Sequence, residues 1–152
     1  MNYLDANFVA ALYFNIAGQS PVAETFVRRT SLPSVVSRLA ELECRRAFIR
    51  RTGQTRSENW QRLQQQLEEK RWLAMPVPWE SAVARSEALM ETFGAGLNCG
   101  TLDILHVALA QEAGCTWFLS FDTNSNARVL ASSARLKVYP DLTPQERARI
   151  LR

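Results

Sequence analysis

The chain has 152 residues, 47% hydrophobic and 22% charged, with six glycines and six prolines spread along it. This is ordinary globular composition and enough chain for one domain with its own core, which excludes disordered, fibrous and linker-divided architectures. The net charge of +3 permits a nucleic-acid partner without demanding one.

Asn2-Tyr3-Leu4 reads as a short strand, followed by Asp5 and a helical stripe of Phe8, Val9, Leu12, Tyr13 and Ile16. Pro21 opens a second helical stretch that runs to about Arg29. Leu32 to Val36 is the second strand, Ser37 an N-cap, and Arg38 to Arg51 a helix stopped by Thr52-Gly53. Residues 57–72 are polar, Gln-rich and helical, with Trp60, Leu63, Leu67 and Trp72 as the apolar stripe. Leu73 to Val77 is a third strand, set at an edge by Pro76. A helix from Pro78 to Phe93 and a loop with Gly94, Gly96 and Gly100 lead into Thr101 to Ala110, a helix apolar nearly all round and therefore buried. Thr116 to Phe121 is a continuous apolar strand ending at Asp122. A helix from about Asn124 to Ser133, a strand from Leu136 to Tyr139 and a helix from Thr143 to Leu151, with Pro144 at its first position, complete the pattern.

Strands alternating with helices, the best strand being apolar throughout, predict an α/β fold: a three-layer α/β/α sandwich with a central parallel sheet, formed as one domain over residues 1–152. In such sheets ligands bind beyond the carboxyl ends of the strands. Asp5 and Asp122 both lie at such ends, and Asp103 opens the buried helix that feeds the strand ending at Asp122. The only other aspartate in the chain is Asp141. Each of the three can serve simply as a helix cap. Converging on one point, they would repel one another and push each other's pKa up unless a hard divalent cation, Mg²⁺ or Mn²⁺, sat among them. The natural substrate of such a cleft is a phosphate ester, and two metals roughly 3.5–4 Å apart can hold the attacking and leaving oxygens of an in-line displacement.

The helix after the second strand offers a fourth carboxylate. Glu41 and Glu43 point roughly 160° apart at ~100° per residue, so only one of them faces the cleft. Glu41 has a plain role as an i,i+4 partner of Arg45 on a solvated face. Glu43 shares its face with Leu39, Ala40 and Ala47 and is the preferred acid, with Glu41 as the alternative. His106, the only histidine, lies one turn after Asp103 and is expected beside the acids rather than as a metal ligand. Asn7, Ser120, Asn124 and Asn126 are candidate hydrogen-bonding neighbours or turn residues. Arg45, Arg46, Arg50 and Arg51, continued by Arg56 and Arg62, form either a solubilising face or a path for an RNA backbone or an acidic partner. Only Lys70 and Lys137 are lysines among the 18 basic residues, the rest being arginines, whose planar fork suits phosphates.

Cys44, Cys99 and Cys115 are odd in number and lack a CxxC spacing, which argues against a disulfide framework or a cysteine zinc site and for a reducing, cytoplasmic setting. No apolar run approaches the ~20 residues of a membrane span, and the N-terminus lacks the features of a signal peptide.

Four segments carry a resemblance: Tyr3-Leu4-Asp5-Ala6-Asn7; Ser37 to Glu43 with Arg46-Ala47; Leu102 to Ala108; and Leu119-Ser120-Phe121-Asp122. In order and spacing the chain resembles the PIN-domain ribonucleases over nearly its whole length, and is most similar to the VapC-type toxins of bacterial toxin–antitoxin pairs. The resemblance implies a Mg²⁺- or Mn²⁺-dependent phosphodiesterase acting on RNA, with Asp5, Glu43, Asp103 and Asp122 as the metal-binding acids. It also implies a homodimer and a small antitoxin that blocks the cleft. The PIN fold also hosts RNA-processing nucleases that are not toxins. A haloacid-dehalogenase-like phosphatase would need an acid where Asn7 stands, a phospho-receiver domain lacks its acidic pair after the first strand, and no GxxxxGK[ST] or GxGxxG occurs. The non-enzymatic alternative is a binding module whose acids only cap helices.

Overall fold

Strand alternation decides the layering. In the computed structural model, which describes residues 1–151, the sheet strands are β1 (Asn2–Leu4), β2 (Ser34–Ser37), β3 (Leu73–Met75), β4 (Trp117–Leu119) and β5 (Lys137–Tyr139). Successive side chains of a strand leave on opposite faces. Tyr3, Val35 and Phe118 accordingly enter one core, while Leu4, Val36 and Leu119 enter the other. The first core is closed by α5 (Trp79–Phe93), α6 (Thr101–Glu112) and α7 (Ala127–Ser133), the second by α1 (Ala6–Tyr13), α2 (Ser20–Arg29), α3 (Arg38–Thr52) and α4 (Glu58–Glu68). A final short helix, α8 (Pro144–Arg147), follows β5.

All four strand pairs are parallel, in the order β3-β2-β1-β4-β5. Chain progression runs outward from β1 in both directions, so the strand order reverses between β1 and β4, the place where α/β sheets open a crevice at their carboxyl edge. The predicted three-layer α/β architecture and the edge position of β3 are both present.

Several boundaries differ from expectation, each for a local reason. Residues 69–72 are not helical: Lys70 takes a left-handed φ of 58°, and the N–H groups of Arg71 and Trp72 both turn back to the Gln66 carbonyl. Trp72 and Trp60 are buried in the second core. The helix expected from Asn124 starts at Ala127, because Asp122 Oδ1 draws in the N–H groups of Asn124 and Ser125 at 2.9 and 3.2 Å and holds a turn there. The terminal helix stops at Arg147, after which the N–H groups of Arg149 and Ile150 bond three residues back. Ser37 caps α3 as expected, accepting from Ala40 N–H at 3.0 Å, and Gly53 ends that helix at a left-handed φ of 67°. Among the described residues no helix is long and apolar enough to cross a membrane.

The C-terminal segment is fastened by a buried ion pair that no motif announced. The Arg128 and Glu146 side chains are only 2% and 1% exposed and meet at 2.8 Å. The guanidinium also donates to the carbonyls of Ser120, Pro140 and Asp141, so its charge is spread over several acceptors. Removing one partner of such a pair leaves the other buried and uncompensated, so Glu146→Ala should cost about 3–5 kcal/mol in urea denaturation. Arg128→Met combined with Glu146→Leu should recover most of that loss.

Candidate metal centre

Asp5 sits at the turn from β1 into α1 and is shaped by it. Its Oδ1 accepts from Ala6 N–H at 2.7 Å, capping the helix, while Oδ2 accepts from Ser120 Oγ at 2.7 Å and Asn7 Nδ2 at 2.9 Å. Asn7 Oδ1 accepts from Phe121 N–H at 2.8 Å, and Asp5 N–H donates to the Leu119 carbonyl at 3.0 Å. The carboxyl ends of β1 and β4 are thereby laced together by Asp5, Asn7 and Ser120. Ser120 Oγ also accepts from Asp122 N–H at 3.2 Å, which fixes where the Asp122 turn begins.

Glu43 projects from α3, and its Oε2 lies 2.7 Å from His106 Nε2. One oxygen each from Asp5 and Glu43 and one ring nitrogen of His106 lie within 4.8 Å of one another. Asp103 and Asp122 are outside that tight group; Asp103 lies within the field of Asp5 and His106, and Asp122 acts on Asp103. Asp103 stands in the first turn of α6, where a Cβ on Gly100 would come to 3.0 Å from its Oδ2.

The electrostatics are those of a site short of positive charge. Burial raises the Asp5 pKa, and Glu43 adds to the rise; His106, Ser120 and the Ala6 N–H oppose it without cancelling it. Burial and the charges of Asp122 and Asp5 raise Asp103. Burial alone would lower His106, but the hydrogen bond that Glu43 accepts from it and the charges of Asp5, Glu43 and Asp103 carry it above its ordinary value. Among the described residues no Lys or Arg pairs with Asp5, Glu43, Asp103 or Asp122. An oxygen-rich donor set with elevated carboxyl pKa values and no basic partner fits a hard divalent cation.

The sequence expectations for the neighbours divide. Asn7 and Ser120 bond Asp5 directly. Asn124 meets Asp122 only through its backbone, and Asn126 is turned away, donating to the Asn98 carbonyl and accepting from Arg149. The expected exposed pair of Glu41 with Arg45 does not form. Glu41 is buried, with Arg38 Nη1 on one oxygen and Gln64 Nε2 at 3.1 Å on the other, while the Arg45 guanidinium lies 5.1 Å from the Trp60 ring centre. Arg38 reaches Glu41 one turn earlier, and α4 closes over this side of α3, which is therefore not the solvated face. Arg51 likewise lies over Phe14, and Arg45, Arg46, Arg50 and Arg51 are all exposed. Tyr3 and Ser37, which bond the far side of the His106 array, escaped the sequence reading. They are 103 and 69 residues from His106, and only the alternation of β1, which turns Tyr3 toward α6, hinted at contact.

A family model described as PIN domain matches residues 3–130. Among solved structures, Mycobacterium tuberculosis VapC20, described as a sarcin-ricin loop cleaving toxin, superposes with a TM-score of 0.70 at 15% identity over 92% of this chain and 100% of that one. FitAcB from Neisseria gonorrhoeae superposes with a TM-score of 0.66 at 15% identity, over 91% of this chain and 96% of that one. At such identity the likeness is one of fold. No curated protein sequence matches the chain.

The raised carboxyl groups set the sign of a pH effect. A folded-state pKa above the unfolded one means that the native protein keeps protons the unfolded chain has released. The Asp5 and Asp103 contributions therefore turn unfavourable as pH rises from the ordinary value of 3.8 through the raised folded values. The contribution of His106, also raised, is full below its ordinary 6.5 and is lost as pH climbs through its folded value. Metal-free protein should thus gain thermal stability from Asp103→Asn at neutral pH, by a few degrees. Millimolar Mn²⁺ should raise the melting temperature of the wild type and much less that of the variant, because a ligand bound only by the native state stabilises it by mass action. Equal Mn²⁺ shifts in the two proteins would remove Asp103 from the cation site.

Proposed function

Since the chain belongs to the PIN-domain family, we propose that it is a Mg²⁺- or Mn²⁺-dependent endoribonuclease, a hydrolase of RNA phosphodiester bonds, and the toxin of a toxin–antitoxin pair. The observation that carries this reading is the set of carboxylates at the β1/β4 crevice with no lysine or arginine among the described residues to neutralise them. Asp5, Glu43, Asp103 and Asp122 would hold the cation. When bound, it would neutralise charge at the phosphoryl group and favour ionisation of an attacking water. The chain's own residues do the rest. Ser120 and Asn7 fix the rotamer of Asp5, the Asp122 turn keeps one carboxylate oxygen occupied by backbone N–H groups and leaves the other free, and the cap at Ser37 sets the phase of α3 that directs Glu43 toward Asp5.

A metal-independent route, in which the RNA 2′-hydroxyl attacks its own phosphate, needs an accessible base. The only histidine is 3% exposed and bonded at both nitrogens, so it does not provide one. Cleavage by external water should leave 5′-phosphate and 3′-hydroxyl ends.

Arg45, Arg46, Arg50 and Arg51, all exposed, with Arg45 and Arg51 lying over aromatic rings, are proposed contacts for the RNA backbone or for an acidic partner. The toxin assignment draws support from the fold shared with VapC20, and with it come a small antitoxin protein and a homodimer as proposed partners. Trp79, Val83 and Met90 are exposed on one side of α5, and Leu42 and Leu102 are exposed beside Glu43 and Asp103. These apolar groups, rather than the buried Trp60 and Trp72, are the surfaces available for such contacts.

The decisive experiment is RNA cleavage with end-group analysis. Asp5→Asn and Asp122→Asn should fold normally and lose activity by roughly 10²–10³-fold, the range seen when a preorganised electrostatic contact to developing charge is removed. Glu43→Gln should behave like them. Glu41→Gln should retain cleavage and lose stability instead, since Glu41 is buried between Arg38 and Gln64. Products with 2′,3′-cyclic phosphate ends, or activity unaffected by chelator, would refute the assignment.

A further inference from the structure

Glu43 is held through one contact. Its side chain is 35% exposed, and His106 is its only hydrogen-bond partner among the described residues. His106 belongs to a longer buried array. Its Nδ1 lies 2.7 Å from Tyr3 Oη, which lies 2.7 Å from Ser37 Oγ, which accepts from Ala40 N–H at 3.0 Å. The rings are fixed by packing: Tyr3 stacks on Phe118 with 4° between planes and a 5.7 Å centroid separation, and meets His106 edge-on at 5.9 Å.

One direction of donation satisfies every atom of this array. Ser37 Oγ accepts from Ala40 N–H and donates to Tyr3 Oη; Tyr3 donates to His106 Nδ1; and His106 Nε2–H donates to Glu43. The reverse direction sets the Nε2 lone pair of a neutral ring against a carboxylate oxygen at 2.7 Å. It also leaves the hydroxyl hydrogen of fully buried Ser37 without an acceptor among the described residues, as would a doubly protonated ring.

We propose that Ser37 and Tyr3 lock His106 as its Nε2–H tautomer, and that His106 is a positioning residue aiming the Glu43 carboxylate beside Asp5 and not itself a metal ligand. In that state neither nitrogen has a lone pair to offer: Nδ1 spends its own on Tyr3, and Nε2 carries a proton. The proximity of Asp5, Glu43 and His106 is then a carboxylate pair with its orienting group, not a three-ligand site. Outer partners of this kind typically change metal affinity 10–100-fold. The proposal rests on the reading of these acids as a cation site.

A single histidine makes the tautomer directly readable in two-bond ¹H–¹⁵N correlation spectra. At about pH 8, above the usual imidazole range, the spectrum should show a neutral ring protonated at Nε2, with and without Mg²⁺. A ring protonated at Nδ1, or loss of the Nε2 proton on adding Mg²⁺, would make His106 a ligand and overturn the proposal. Tyr3→Phe keeps the stacked ring and removes only the hydroxyl. It should leave Nε2 protonated by its contact with Glu43 but free the ring to turn, and so weaken Mn²⁺ binding, measured by calorimetry, by roughly 10-fold. Unchanged affinity in that variant would also overturn it. The two levels fail differently. Wild-type protein that binds no Mn²⁺ removes the cation site and the positioning role together. Wild-type protein that binds Mn²⁺ with Nδ1 protonated removes the positioning role alone.

Discussion

Asp5 holds three jobs in one carboxylate, and much of the architecture around the crevice follows from their combination. One oxygen caps α1, the other receives Ser120 from the neighbouring strand, and the whole group is buried where further acids approach. Capping and the Ser120 bond favour the ionised form; burial and Glu43 oppose it. The balance leaves the group raised but supplied with fixed donors, so its geometry is set before any cation arrives. Such preorganisation has a stability cost, because the repulsion of Asp5 by Glu43, and of Asp103 by Asp122 and Asp5, is present in the folded chain and dispersed in the unfolded one.

That cost is offset at a distance. The β4 end is held from its far side by Arg128, which reaches the Ser120 carbonyl while its other donors saturate Glu146 and the carbonyls of Pro140 and Asp141. The hydroxyl of Ser120 faces Asp5 and its carbonyl faces Arg128, so one residue couples the acidic crevice to the C-terminal segment. Glu146 also completes a capping box with Thr143, so the ion pair and the last helix depend on each other. The family match ends at residue 130, and this clamp is built across that limit, from Arg128 inside to Glu146 outside.

Periodicity carried the fold. Apolar runs at 2, 34 and 117 alternate with helical stripes, and a chain in that pattern has few ways to bury its strands other than a parallel sheet covered on both sides. The three aspartates were legible because strand ends and helix starts are visible in sequence, and parallel sheets gather them on one edge. Helix phase set Glu43 and Glu41 on different sides of α3, as they are, but misread the environment of Glu41: a 3.6-residue repeat says which way a side chain points, not that α4 will close over it. The Arg128–Glu146 pair was not legible at all. An arginine followed 18 residues later by a glutamate looks like any surface charge until tertiary structure buries both. The Tyr3–His106 bond is of the same kind, a contact across 103 residues that no local pattern encodes.

The two glutamates of α3 show how the same residue type acquires opposite physical roles two positions apart. Glu41 is buried but has Arg38 and Gln64 on its two oxygens, so its charge is answered within the protein. Glu43 is more exposed, yet its one partner is an imidazole that must also answer to Asp5 and Asp103. A carboxylate bonded to an arginine and an amide has its charge answered, whereas one sharing a single imidazole with two other acids keeps an excess of negative charge. Burial alone would have ranked these residues the other way round. What separates them is whether the negative charge is met by an arginine, and among the described residues Glu43 meets none.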